Sequence, residues 1–191
     1  EDSTILKTIS SQDGTVHWQN DHISRVYSDY LLSYDVTSYI NSGTVSAIVQ
    51  TARGSSNMDG RIKYLALVVA YNDGDNDRIQ YWINDGHQWF NSQNTRQTTF
   101  DTSNITTGWD NAELEVVHSS TTDAGYEFNG ETKIGNSPPA GIYFMVNTWN
   151  VTDDLTAGEP STLKYTHNQG PSCKISIATL KIHYTGSVDP Q

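Results

Sequence analysis

Cysteine is nearly absent from this chain: Cys173 stands alone in 191 residues, so no disulfide can close within it. Beside "KISIATLKIHY" that thiol reads as a small buried apolar residue rather than a nucleophile. Cationic residues are also scarce. There are 11 Lys and Arg against 22 Asp and Glu, giving a net charge of −11. Such a surface repels phosphate backbones, which argues against a nucleic-acid partner. No apolar run approaches the ~18 residues that a membrane helix needs, so nothing here reads as membrane-inserting. Amphipathic helical periodicity is missing over any window of about 11 residues. None of the six histidines forms an HExxH pair or lies near a GxSxG elbow.

What is present is strand and turn chemistry. Thr, Ser, Asn, Asp and Tyr are abundant, and charged residues make up only 17%. Apolar/polar alternation predicts strands at Ile5–Ile9, Thr15–Gln19, Leu31–Val36, Ser46–Thr51, Ile62–Tyr71, Ile79–Asn84, Thr98–Phe100, Ala112–Ser119, Ala124–Phe128, Ile142–Val146, Ser161–Thr166 and Ile175–Tyr184. Gly-, Asn- and Pro-containing turns separate them. This predicts an all-β fold, a β-sandwich of jelly-roll type in a single domain over 1–191. The beginning at Glu1 reads as a mature chain or an excised domain, and "TGSVDPQ" as the start of a linker.

An internal repeat supports two related units. "YDVTSYINSG" (Tyr34–Gly43) matches "WNVTDDLTAG" (Trp149–Gly158). The expected units run over about 5–71 and 112–184, joined by a middle segment, 72–111. Asp35 or Asn150 is placed to accept backbone N–H bonds from the turn that follows it. The Val and the later Ile40 or Leu155 would point into the core, and the Gly would supply a positive φ.

Residues 72–77, "NDGDND", interrupt an apolar run and an aromatic one. The simplest account is a hairpin turn. The alternative is calcium, which takes about six to eight oxygens. Asp73, Asp75 and Asp77 match the first half of a calcium-loop pattern. Arg78 stands where the pattern needs Gly and Asn84 where it needs Glu, so this is no EF-hand. The "INDGH" stretch (Asn84, Asp85, Gly86) reads as a second acidic turn able to supply further oxygens.

Trp89 and Phe90 are the aromatic pair best suited to a sugar platform, with Trp82 as a third candidate. Core packing is the competing account for all three rings. His183, alternating with Ile182 and Tyr184, is expected on a solvent face. Two sequons, Asn104-Ile105-Thr106 and Asn150-Val151-Thr152, hint at the outside of a cell. Asn104, within "DTSNITTG", is the better glycosylation candidate.

The repeated "DVT…G" turn resembles that of galactose-binding-like jelly rolls. A closer resemblance, over about Tyr34 to Tyr184, is to a domain family of unknown function in secreted surface proteins of methanogenic archaea, some described as S-layer- or disaggregatase-related. It rests on "YDVTSYINSG", "DGRIKYLALVVAY", "IQYWINDGH", "TTFDTSNIT" and "WNVTDDLTAG". The acidic turn is longer here than is usual in that family. The resemblance implies an extracellular, non-catalytic β domain with a structural, self-assembly or adhesive role. Its partners would be other surface proteins, its own copies or a cell-surface glycan, with no required cofactor and Ca²⁺ as the optional one. A carbohydrate-binding module is the alternative, and a polysaccharide-degrading enzyme the weaker one.

Overall fold

The computed structural model describes residues 22–26, 29–40, 44–49, 62–90, 94–119, 124–135, 144–167 and 173–185. The chain divides into two compact units, Glu1–Arg61 and Ile62–Gln191. This division does not coincide with the expected units 5–71 and 112–184. The first unit contains a hairpin, β1 (His22–Val26) against β2 (Asp29–Ser33). The strands expected at Ile5–Ile9 and Thr15–Gln19 lie outside the described residues.

The second unit is the sandwich. Its strands are β3 (Arg78–Phe90), β4 (Arg96–Phe100), β5 (Asn111–Ser119), β6 (Ala124–Phe128), β7 (Glu131–Lys133), β8 (Phe144–Asn150), β9 (Ser161–His167) and β10 (Cys173–Tyr184). They form two four-stranded antiparallel sheets, ordered β3-β10-β5-β8 and β4-β9-β6-β7. The pairings nest: β3 with β10, β4 with β9, β5 with β8, β6 with β7. One long antiparallel hairpin has thus been rolled up, and the β10–β5 and β9–β6 ladders close the roll. That winding is the jelly roll. Strands β3 and β4, expected at Ile79–Asn84 and Thr98–Phe100, lie in the middle segment 72–111, and each takes an edge of one of the two sheets.

Alternation explains which side faces in. Ala112, Leu114 and Val116 of β5 and Ala178, Leu180 and Ile182 of β10 are buried from one sheet; Tyr126, Phe128, Leu163 and Tyr165 meet them from the other. The turn between β6 and β7 is Asn129-Gly130, both at positive φ (49° and 94°). Asn-Gly is the pair that tight hairpins of this hand favour.

Two expected strands are not formed among the described residues. Residues 44–49 and 62–71 pair with no strand among the described residues. Their apolar side chains are exposed, Ile48 at 81%, Leu65 at 62% and Tyr71 at 79%. An apolar run signals a preference for burial, whereas a strand also needs a neighbour for its N–H and C=O groups. "INDGH" is a further correction, because it is no turn. Strand β3 runs straight through it, and the register slips there, Ile175 facing Gln88 while Ile177 faces Asp85. Gly86 and His87 form a bulge.

Candidate functional site

The repeated motif takes the same shape twice. Asp35 Oδ1 accepts the Thr37 N–H at 3.0 Å, and Asn150 Oδ1 accepts the Thr152 N–H at 3.0 Å. A single 3-10 turn follows each, Thr37–Tyr39 and Thr152–Asp154. In the second copy Val151 and Leu155 are buried as expected, and Gly158 has φ 77°. The Val36 and Ile40 side chains of the first copy are only half-buried. The motif is therefore a structural clasp. In the second copy Thr152 Oγ1 accepts the Ala112 N–H at 2.8 Å, and Asn150 Nδ2 donates to Asn111 Oδ1 at 3.1 Å. That sequon is consumed by the fold. Asn104 is exposed, in the turn before the buried Ile105.

The acidic stretch 72–77 is a ladder of Asx turns. Asn72, Asp73 and Asp75 each accept the N–H two residues on, at 2.8, 3.3 and 3.2 Å, with Gly74 at φ 83°. Carboxylate oxygens of Asp73, Asp75 and Asp77 lie within 4.8 Å of one another. The sequence did not show what answers them. His183, at the end of β10, is held between two carboxylates: Nε2 bonds Asp77 Oδ2, and Nδ1 bonds Asp110 Oδ2 at 3.0 Å. Asp110 also accepts the Thr185 N–H at 2.8 Å. Next to this clamp Arg78 stacks on the Tyr184 ring, 4.2 Å from its centroid.

A carboxylate only accepts, so both ring nitrogens must donate, and His183 is an imidazolium in this arrangement. Its pKa is raised, first by the bond to Asp77 and then by Asp110. Asp77 is lowered, through its hydrogen bond with the Asp75 side chain and then through His183. Asp110 is lowered chiefly by the Thr185 N–H. With both nitrogens engaged, His183 has no lone pair with which to act as a base.

For Ca²⁺ the fit is partial. The turn brings three carboxylates together where the ion takes about six to eight oxygens, and Asp77 is already bonded to His183. Asp85 adds nothing: it faces Ile177, seven residues along β3 from Arg78, about 23 Å away at ~3.3 Å per residue. Water would have to supply the balance.

These opposed shifts fix a pH dependence. A raised His183 stabilises fully below its unfolded value of 6.5, and that contribution is lost as pH rises through the raised folded value. The lowered aspartates stabilise above 3.8, and that is lost as pH falls through their folded values. The Tm difference between the native chain and His183→Gln should therefore peak between pH 3.8 and 6.5 and shrink on either side. A difference that stays flat from pH 4 to 9 would show that the clamp contributes nothing.

Of the three aromatic candidates, Trp82 is the one whose side chain is described. Trp82 packs, partly buried, against the core and donates its indole N–H to Asp101 O at 2.8 Å. Trp109 donates to Thr152 O at 3.1 Å and Trp149 to Ile134 O at 2.8 Å. Each ring is partly buried against the core while its N–H finds a main-chain carbonyl. Trp89 and Phe90 stand opposite Lys174 and Cys173 in the ladder; their side chains lie outside those described.

The comparisons add a family. A family model described as "Protein of unknown function (DUF3344)" matches residues 4–183, and the chain belongs to that family. No curated protein and no solved structure matches the chain.

Proposed function

We propose, for a chain whose family carries no assigned activity, a non-catalytic role as an extracellular surface domain, structural and adhesive, in proteins of the archaeal cell-surface type. The observation that supports this is an apolar surface on the sandwich unit. Leu65, Leu67, Val68 and Val69 are 45–62% exposed. Alternate residues of β3, Ile79, Tyr81 and Ile83, expose a second stripe at 41–52%. An apolar surface of this kind on a soluble domain marks contact with something else. Strands β3 and β8 end the larger sheet, and β4 and β7 the smaller, so edges are open to pairing among the described residues. Some polar groups that could have done chemistry are held by the fold, His183 by two aspartates and Asn150 and Thr152 within the clasp.

The expected result is self-association that rises with concentration in sedimentation velocity. The double substitution Leu67→Asp, Tyr81→Asp should weaken it at least tenfold, about 1.4 kcal/mol. A native chain that stays monomeric at the highest attainable concentration would sink the assembly reading. Carbohydrate binding is the second reading, favoured by a polar cleft on the opposite sheet.

A further inference from the structure

Three of the strands in the smaller sheet set polar side chains in one row on its outer face. Gln97 of β4 stands opposite Lys164 of β9, and Lys164 opposite Glu127 of β6. The Lys164 Nζ–Glu127 Oε1 distance is 2.8 Å, with both side chains substantially exposed. In the next row lies Thr162, facing Thr99. The loop carrying Thr156 and Glu159 rises beside them, and together they bound an open cleft of about 400 Å³. That volume is at the small end of ligand sites, about 300–1,000 Å³.

The cleft is built rather than incidental. Its floor is a hydrogen-bonded sheet. Its wall is tied down at several points: the buried Thr102 donates its hydroxyl to Glu159 O at 2.6 Å, and Glu159 N–H bonds Thr156 O at 3.3 Å. Asn129 donates to Asp154 O at 2.9 Å, fixing the start of the same loop. A wall and floor that need not move on binding lose little freedom when a ligand arrives.

The side chains that bound the cleft select the ligand. The side chains of Gln97, Thr156, Glu159 and Thr162 make no bond within the described residues. They present an amide, two hydroxyls and a carboxylate, and Lys164 adds a donor beside the Glu127 acceptor. No aromatic ring lines the cleft, so nothing is stacked there. One ammonium against two carboxylates, on a chain of net charge −11, disfavours phosphate, sulfate and uronate groups. Closely spaced groups that both donate and accept match the paired hydroxyls of a neutral sugar. We infer that this cleft binds the end of a neutral glycan, one or two sugar units long, by hydrogen bonds alone. The inference rests on the adhesive part of the proposed role and moves the sugar site from the Trp89 and Phe90 region to the other sheet. Without stacking, affinity should be weak, with Kd on the order of 1 mM.

The test is an amide-resolved NMR titration of the intact chain with neutral glucan, mannan and galactan oligosaccharides. Saturable shifts should cluster at 97, 127 and 156–164. Gln97→Ala and Lys164→Met should each raise Kd at least tenfold. Lys181→Met, which breaks the comparable exposed pair with Glu113 on the larger sheet, should leave Kd unchanged. Should Lys164→Met fail to fold, Gln97→Ala decides, because that side chain holds nothing in place. No saturable shift up to about 20 mM sugar, or shifts confined to the Trp89 and Phe90 region, overturns the inference. Self-association without sugar shifts defeats only the glycan site; sugar shifts without self-association defeat only the assembly reading.

Discussion

Leu180→Ala is expected to lower unfolding free energy by about 2–5 kcal/mol in chemical denaturation. Leu180 is fully buried on β10, which pairs with both β3 and β5 at the centre of the larger sheet. Removing its branched end loses transfer energy and leaves a cavity that the flanking ladders cannot collapse to fill. Leu67→Ala is the matched comparison. Leu67 is 55% exposed in the stretch before the acidic turn, and its truncation should cost no more than about 0.5 kcal/mol. Equal costs at the two positions would mean that residues 62–71 are packed in solution. The apolar surface behind the assembly reading would then not exist.

Asn129→Ala should be the most damaging change at an exposed position, by about 2–3 kcal/mol. Asn129 Oδ1 accepts the Thr162 N–H at 2.8 Å, and its Nδ2 donates to Asp154 O at 2.9 Å and to Ser161 Oγ at 3.3 Å. One side chain thus ties the β6–β7 turn to β9 and to the second copy of the clasp. Its φ of 49° adds strain for any residue with an ordinary Cβ. Asn129→Gly should recover roughly 1 kcal/mol of the loss, because glycine takes positive φ freely but restores no bond. A glycine variant no more stable than the alanine variant would show that backbone strain plays no part there. Alanine at native stability would dismiss the tie altogether.

The polar cleft on the smaller sheet left no mark in the sequence. The cleft is bounded by Gln97, Glu127, Thr156, Glu159, Thr162 and Lys164, among other residues. Spread along the chain, they look like ordinary solvent-facing strand and loop residues. Sequence reading favoured Trp82, Trp89 and Phe90 because aromatic rings announce themselves. It could not tell that Trp82 turns inward to staple β3 to the loop after β4. His183 was legible as a residue at a strand end, and its two carboxylate partners were not, since they lie 106 and 73 positions away.

The sequence by itself determined the β class, most of the strands from Ile79 onward, their inward faces and the twice-used clasp. These are local properties. Alternation reports which side of a strand prefers burial, and an Asx turn closes within three residues. Only the tertiary structure decided the nested pairing of the jelly roll, the bulge at Gly86 and His87, the clamp around His183 and the cleft on the smaller sheet. Each depends on register between strands far apart in the chain, set by how two whole faces bury against each other. A run such as 62–71 shows the difference: its hydrophobicity predicted a strand, but a strand also needs an edge to pair with.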